Sequence, residues 1–104
     1  MSLGLNIATI ARIEADRIYA LILPETDDKN ETVTVPLSFL SSVQTTGQAL
    51  EEFAPTYIKV ALDKLTETAK IHKLRRKAVV PKQSLSFIAA AFRIAADSAD
   101  AGHP

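Results

Sequence analysis

The apolar positions change their period along the chain, and that change divides the sequence into two parts. Leu5 to Ile13 and Arg17 to Leu23 are rich in isoleucine and leucine and flank the short polar corner Glu14-Ala15-Asp16. Thr32-Val-Thr-Val35 then alternates up to Pro36. Short β-branched runs bounded by polar corners predict a three-stranded antiparallel meander over about residues 5–36. In its first strand Leu5, Ile7, Ala11 and Ile13 share parity, interrupted by Thr9 and Ile10. In its second, Ile18, Ala20 and Ile22 oppose Tyr19, Leu21 and Leu23, so the strand is expected to be covered on both faces. The competing reading is one helix from Asn6 to Leu23. It places Glu14 inside the apolar stripe, and on that ground strands are preferred. Glu25 to Glu31 contains no apolar residue and reads as an exposed connection.

From Pro36 the pattern turns helical. Leu37-Ser-Phe-Leu40 suggests a single turn, and Thr45 with Gln48 fits a capping box that starts a helix at about Thr46. Leu50, Phe53, Ala54, Tyr57, Ile58, Ala61, Leu62, Leu65 and Ala69 recur at spacings of three and four. Pro55 predicts a kink or a restart, because its ring clashes with the preceding turn. At 100° per residue the stripe from Ile58 to Ala69 keeps to one face, whereas Ile71, Leu74 and Ala78 fall nearly opposite. The segment 46–78 is therefore either a helix sandwiched between two partners or a broken one. In the broken version Ile58-Lys-Val-Ala-Leu62 becomes a fourth strand and closes a small barrel. Beyond Pro81, a helix over about 83–99 is predicted, with Ser84 as N-cap and Gly102 as terminator. Leu85, Ile88, Phe92, Ala95 and Ala99 form its three-four repeat, and Phe87, Ala91 and Ile94 make much of the remaining surface apolar as well.

The expectation is thus an α+β fold: an N-terminal antiparallel β-meander of three or four strands, followed by two main C-terminal helices. At 104 residues with 47% hydrophobic content, one domain spanning 1–104 with one core is expected. The absence of cysteine excludes a disulfide scaffold, a cysteine nucleophile and thiolate metal sites. Metal binding would rest on His72 and His103 with carboxylates, and none is predicted. The start Met-Ser-Leu-Gly-Leu-Asn has no basic, long apolar leader, so a cytoplasmic or intravirion location is expected. The nearly uncharged run from Gln83 to Ala96 falls short of about 20 residues, so no membrane span is predicted.

Charge alters the picture more than composition does. The chain has 12 basic and 12 acidic residues, yet six of the cations lie between Lys70 and Lys82. Lys70, Lys73, Arg75, Arg76, Lys77 and Lys82 are the candidate binding residues for nucleic acid or an acidic partner. Were the run helical, Lys70, Lys73, Arg76 and Lys77 would share one arc and Arg75 would point elsewhere. No aromatic residue interrupts the run, which removes the stacking platform of a single-strand binder. No glycine-turn signature of a helix-turn-helix is visible, and Val79-Val80-Pro81 reads as a stiff connector.

Catalytic patterns do not emerge. Glu51 and Glu52 point in different directions, no serine sits in a Gly-x-Ser-x-Gly elbow, and the glycines at 4, 47 and 102 are too scattered to cradle phosphate. His72 is the one candidate acid-base group, with no partner in sequence. The reading is a non-enzymatic binding or assembly protein without cofactor, small-molecule substrate or membrane contact. A helix apolar around most of its circumference needs cover. Leu85, Phe87, Ile88, Phe92 and Ile94 are therefore the expected interface of a homo-oligomer or an obligate protein partner. The alternative is a purely structural or adaptor subunit acting through that same helix.

Overall fold

A helix, and not a meander, opens the fold. The computed structural model describes residues 3–22 and 31–102, with side chains from residue 7 onward. Helix α1 (Leu3–Ile22) precedes strand β1 (Thr32–Pro36), which runs into α2 (Leu37–Leu50). Helix α3 (Pro55–Thr68) follows, then β2 (Lys70–His72), a single 3-10 turn over Lys73–Arg75, β3 (Lys77–Pro81) and α4 (Lys82–Ala101). The N-terminal meander and the fourth strand at 57–63 are both overturned: the molecule is mostly helical, and its small sheet is built from β1 and the late β2–β3 hairpin. The predicted connection at 25–30 lies outside the described residues.

Helix α1 forms because Ala8, Ala11, Ala15 and Ile18 make a continuous buried stripe once the chain is wound at 3.6 residues per turn. Glu14, the residue that argued against this helix, is indeed inside the stripe and only 6% exposed. Two hydroxyls from α2 satisfy its carboxylate: Ser42 Oγ donates at 2.8 Å and Thr46 Oγ1 at 3.4 Å. A buried charge is costly only when unpartnered. The objection to a helix therefore fails through a tertiary contact. Ile10 and Ile13, about half exposed, lie on the opposite face.

Helices α1 and α4 pack antiparallel, since Arg12 meets Asp97 and Asp100 while Asp16, further along α1, meets Arg93. Both bury small residues, among them Ala8, Ala11 and Ala15 on one helix and Ala89 and Ala96 on the other, so the backbones come close. Leu85, Ile88 and Phe92 from α4 are fully enclosed by the protomer's own core. Each contributes about 1.5–3 kcal/mol of transfer free energy. Ser84, expected to cap the helix, is instead buried in its first turn, 2.8 Å from Thr68 Oγ1. Thr68 already donates its hydroxyl hydrogen to the Lys64 carbonyl at 2.7 Å. Ser84 is therefore the donor between them.

The stretch 46–78, expected as one helix, holds the end of α2, all of α3, β2, the 3-10 turn and the start of β3. Pro55 restarts the chain as the first residue of α3, where its missing N–H is an orphan donor in any helix. Four residues, Glu51 to Ala54, connect α2 to α3. Gly47 lets the two helices meet: a Cβ there would lie 2.9 Å from Leu62 Cδ2. Thr45 and Gln48 sit within α2 and cap nothing, because the helix already begins at Leu37. The sheet has the order β1-β3-β2 with both pairs antiparallel, and its inner face is made by Val35, Ala78 and Val80, all buried.

Strand and helix join in the same way twice. Pro36 ends β1 and Pro81 ends β3, both in extended conformation, and a helix begins at the next residue. The first helical N–H groups, which have no partner within their own helix, donate across the sheet: Leu37 to the Arg76 carbonyl at 3.0 Å, and Lys82 to the Glu31 carbonyl at 2.8 Å. The first of these bonds ties the turn end of the β2–β3 hairpin to the start of α2.

Candidate functional site

The basic run is a strand-turn-strand, not a helical arc. Period two decides which side chains leave the core. Val79 pairs with Lys70 on one side and Thr34 on the other, and Lys77 pairs with His72. Alternation along β2 and β3 then places Lys70, His72, Lys77, Thr34 and Val79 on the face opposite Val35, Ala78 and Val80. This solvent side of the sheet has a shallow depression lined by Thr34, His72, Arg75, Lys77 and Val79.

The remaining cations crowd the hairpin end. Arg76 N–H donates to the Lys73 carbonyl at 3.1 Å, closing a four-residue loop, Lys73-Leu-Arg-Arg76, between the paired residues His72 and Lys77. Arg76 adopts the left-handed conformation at φ 54°, the sole positive φ among the described residues. Such a position normally belongs to glycine, since a side chain there crowds the backbone. An arginine holds it here. Leu74 at the apex is 101% exposed. Ile71, on the inner face of β2, is also 54% exposed, because this edge strand extends past the cover of the core.

Lys70, Lys73, Arg75, Arg76 and Lys77 are all exposed, and among the described residues none of them has a carboxylate within ion-pairing distance. Lys82 stands apart from them: it opens α4 beyond the far end of β3 and is half-buried. The structure thus gathers five of the six predicted cations on the hairpin and separates the sixth. Of the predicted oligomer contacts, Leu85, Ile88 and Phe92 are inside the protomer, which corrects their assignment as available interface. Phe87 (37% exposed) and Ile94 (40%) do reach the surface.

The cations of the helical pair behave differently. Arg12 lies 3.0 Å from Asp97 and 2.7 Å from Asp100, and its hydrogen bonds to Asp100 first and Asp97 second raise its pKa above the usual arginine value. Arg93 bonds Asp16 at 3.0 Å and stacks 4.5 Å over the Tyr19 ring. Lys64 on α3 sits 5.9 Å over Phe87. The exposed side of α3 adds Lys59, Asp63 and Glu67, and a groove between α2 and α3 is lined by Gln44, Gln48, Glu51, Lys59, Leu62, Asp63 and Thr66. Acids stand among the lysines here, whereas the hairpin cations have none within ion-pairing distance among the described residues.

Among the described residues, no three His, Asp or Glu side chains converge as metal ligands, and no helix is long and apolar enough to cross a membrane. His72 faces solvent across from Lys77, and His103 is outside the described residues. Sequence reasoning missed Leu74, Thr34 and Val79 as members of this surface. The available signal was the alternation in Lys70-Ile-His72 and Lys77-Ala-Val-Val80 on either side of four residues, a hairpin pattern. No family model matches the chain, and no similar curated protein or solved structure was found.

Proposed function

We propose that this chain is a non-enzymatic nucleic-acid-binding protein that engages duplex phosphates through the β2–β3 hairpin and the outer face of its sheet. One observation carries the reading: strand register and turn geometry project five cations from one hairpin, none with an ion-pair partner among the described residues. Unpaired surface cations at this density attract a polyphosphate by releasing its condensed counterions. The hairpin also adjoins α2 and α3, two helices joined by four residues in the manner of a helix-turn-helix. In such a motif the second helix enters the major groove. Here α3 offers Thr56, Lys59, Val60 and Asp63 on its exposed side, a mixed surface suited to base edges more than to phosphates. The hairpin supplies affinity, and α3 lies beside it.

The test is fluorescence anisotropy with a labelled mixed-sequence duplex at about 100 mM salt. Wild type is compared with K70Q/K73Q/R75Q/R76Q/K77Q. The substituted protein is expected to bind at least about a hundredfold more weakly, with an unchanged circular dichroism spectrum. Equal binding by the two proteins, or no binding by wild type, refutes the reading.

A second reading, assembly through protein contacts on α4, rests on the exposure of Phe87 and Ile94, with Tyr57 (53%) and Val60 (48%) on neighbouring α3. It draws on fewer residues than the apolar circumference of α4 promised, because the core has taken the others. Light scattering at micromolar concentration decides it: a dimer mass lost in F87S/I94S supports assembly, and a monomer mass ends it.

A further inference from the structure

Within the nucleic-acid reading, on which this inference rests, we propose that Leu74 is an apolar wedge that enters the minor groove of duplex DNA and unstacks one base step. Lys73, Arg75 and Arg76 would hold the groove walls around it.

Leu74 makes no use of its side chain inside the protein. It is 101% exposed and stands at the apex of a turn flanked by cations on both sides. A lone exposed leucine is ordinary, but this one is carried on a stiff support. The Arg76–Lys73 hydrogen bond closes the turn, the hairpin strands are paired behind it, and Leu37 N–H anchors the Arg76 carbonyl. The turn keeps an arginine in the left-handed position where glycine would relieve crowding. Charge at that point is thus retained against a conformational cost, as expected where function sets the residue.

Dimensions restrict how such an apex meets DNA. A two-stranded ribbon, with strands about 4.8 Å apart before side chains are added, is too broad for a minor groove about 6 Å wide. Only the tip of the four-residue loop enters. Lys70 and Lys77, diagonal neighbours on the outer face, remain outside at the phosphates. Leucine is among the residues that minor-groove proteins insert between base steps, and arginine is favoured in that groove for its negative potential. A single-stranded ligand fits less well, since the hairpin has no aromatic platform. An anionic membrane surface also attracts cations around a leucine, but stable insertion draws on a wider apolar face than one apex side chain.

The experiment uses a 30-base-pair duplex with 2-aminopurine at successive positions, and the same duplex end-labelled for energy transfer, at low salt where phosphate attraction keeps every variant bound. Wild type is expected to raise 2-aminopurine fluorescence at one step and to bend the duplex by about 20–90°. Leu74→Ala should bind about tenfold more weakly, keep the same salt dependence, and produce neither unstacking nor bending. Leu74→Met should restore both. Binding by wild type with undisturbed stacking, or bending retained in Leu74→Ala, overturns the wedge and leaves the phosphate contacts standing. No binding by wild type removes both proposals at once. A leucine effect seen with phosphatidylserine vesicles and absent with DNA overturns the wedge in favour of a membrane contact.

Discussion

The α1–α4 pair and the β2–β3 hairpin treat the same side chains in opposite ways. On the helical pair, Arg12 and Arg93 each reach a carboxylate at about 3 Å, and the large apolar residues Leu85, Ile88 and Phe92 are enclosed. On the hairpin, five cations lack an acidic partner among the described residues and Leu74 is bare. The first region pairs Arg12 and Arg93 and encloses its central apolar residues, which contributes stability, while Ile10, Ile13, Phe87 and Ile94 stay partly exposed. The second leaves both outside, which adds little to folding and makes a surface for something else. A chain with no net charge can therefore carry a cationic element, because among the described residues no carboxylate pairs with the hairpin cations.

The largest expected effect belongs to the helical pair. Phe92→Ala should lower unfolding free energy by about 3–5 kcal/mol in urea melts, while binding of DNA by the fraction still folded stays unchanged. A loss of binding per folded molecule would show that the two regions are not independent. Next comes the contact that sets α3 against α2. Gly47→Val pushes a branched side chain into Leu62 and should cost about 1–3 kcal/mol. A neutral result would mean that Leu62 yields without displacing α3.

Arg76→Gly sharpens the contrast, because it should move stability and binding in opposite directions. Relief of the left-handed side chain, about 1–2 kcal/mol, exceeds the backbone entropy lost to glycine, about 0.5–1 kcal/mol. The variant should be more stable by up to about 1 kcal/mol and bind DNA more weakly. Gain on both counts would remove the functional reason for an arginine there. The smallest effect is Arg93→Ala, which loses an exposed stacking contact with Tyr19 worth about 0.5–1 kcal/mol. It should leave DNA affinity as it was.

The sequence made some of this legible and concealed the rest for physical reasons. Period-two alternation in Thr32–Val35, the restart at Pro55 and the apolar repeat of the last helix are local signals, and all three are present in the structure. The first helix was hidden because Glu14 falls inside its apolar stripe, and the hydroxyls that satisfy Glu14 lie 28 and 32 residues away. The hairpin was hidden by the cations themselves: Lys73-Leu-Arg-Arg76 contains good helix formers and neither glycine nor asparagine to announce a turn. Five of the six cations grouped in the sequence lie on the hairpin and Lys82 opens α4, since proximity along the chain needs no knowledge of the fold. What could not be read was their arrangement on a sheet face and an apex, which depends on β1 arriving from far earlier in the chain.

The measurement that bears most directly on the account is the salt dependence of duplex affinity in two variants that each lose two arginines. R75Q/R76Q removes unpaired cations from the hairpin, and R12Q/R93Q removes paired ones from the helices. Plotted as log Kobs against log salt, the hairpin variant should be shallower than wild type by about 2 units of slope, and the helical variant should overlay wild type. Equal slopes in all three proteins, or the larger change in R12Q/R93Q, would contradict the division between a self-contained helical pair and an outward-facing cationic hairpin.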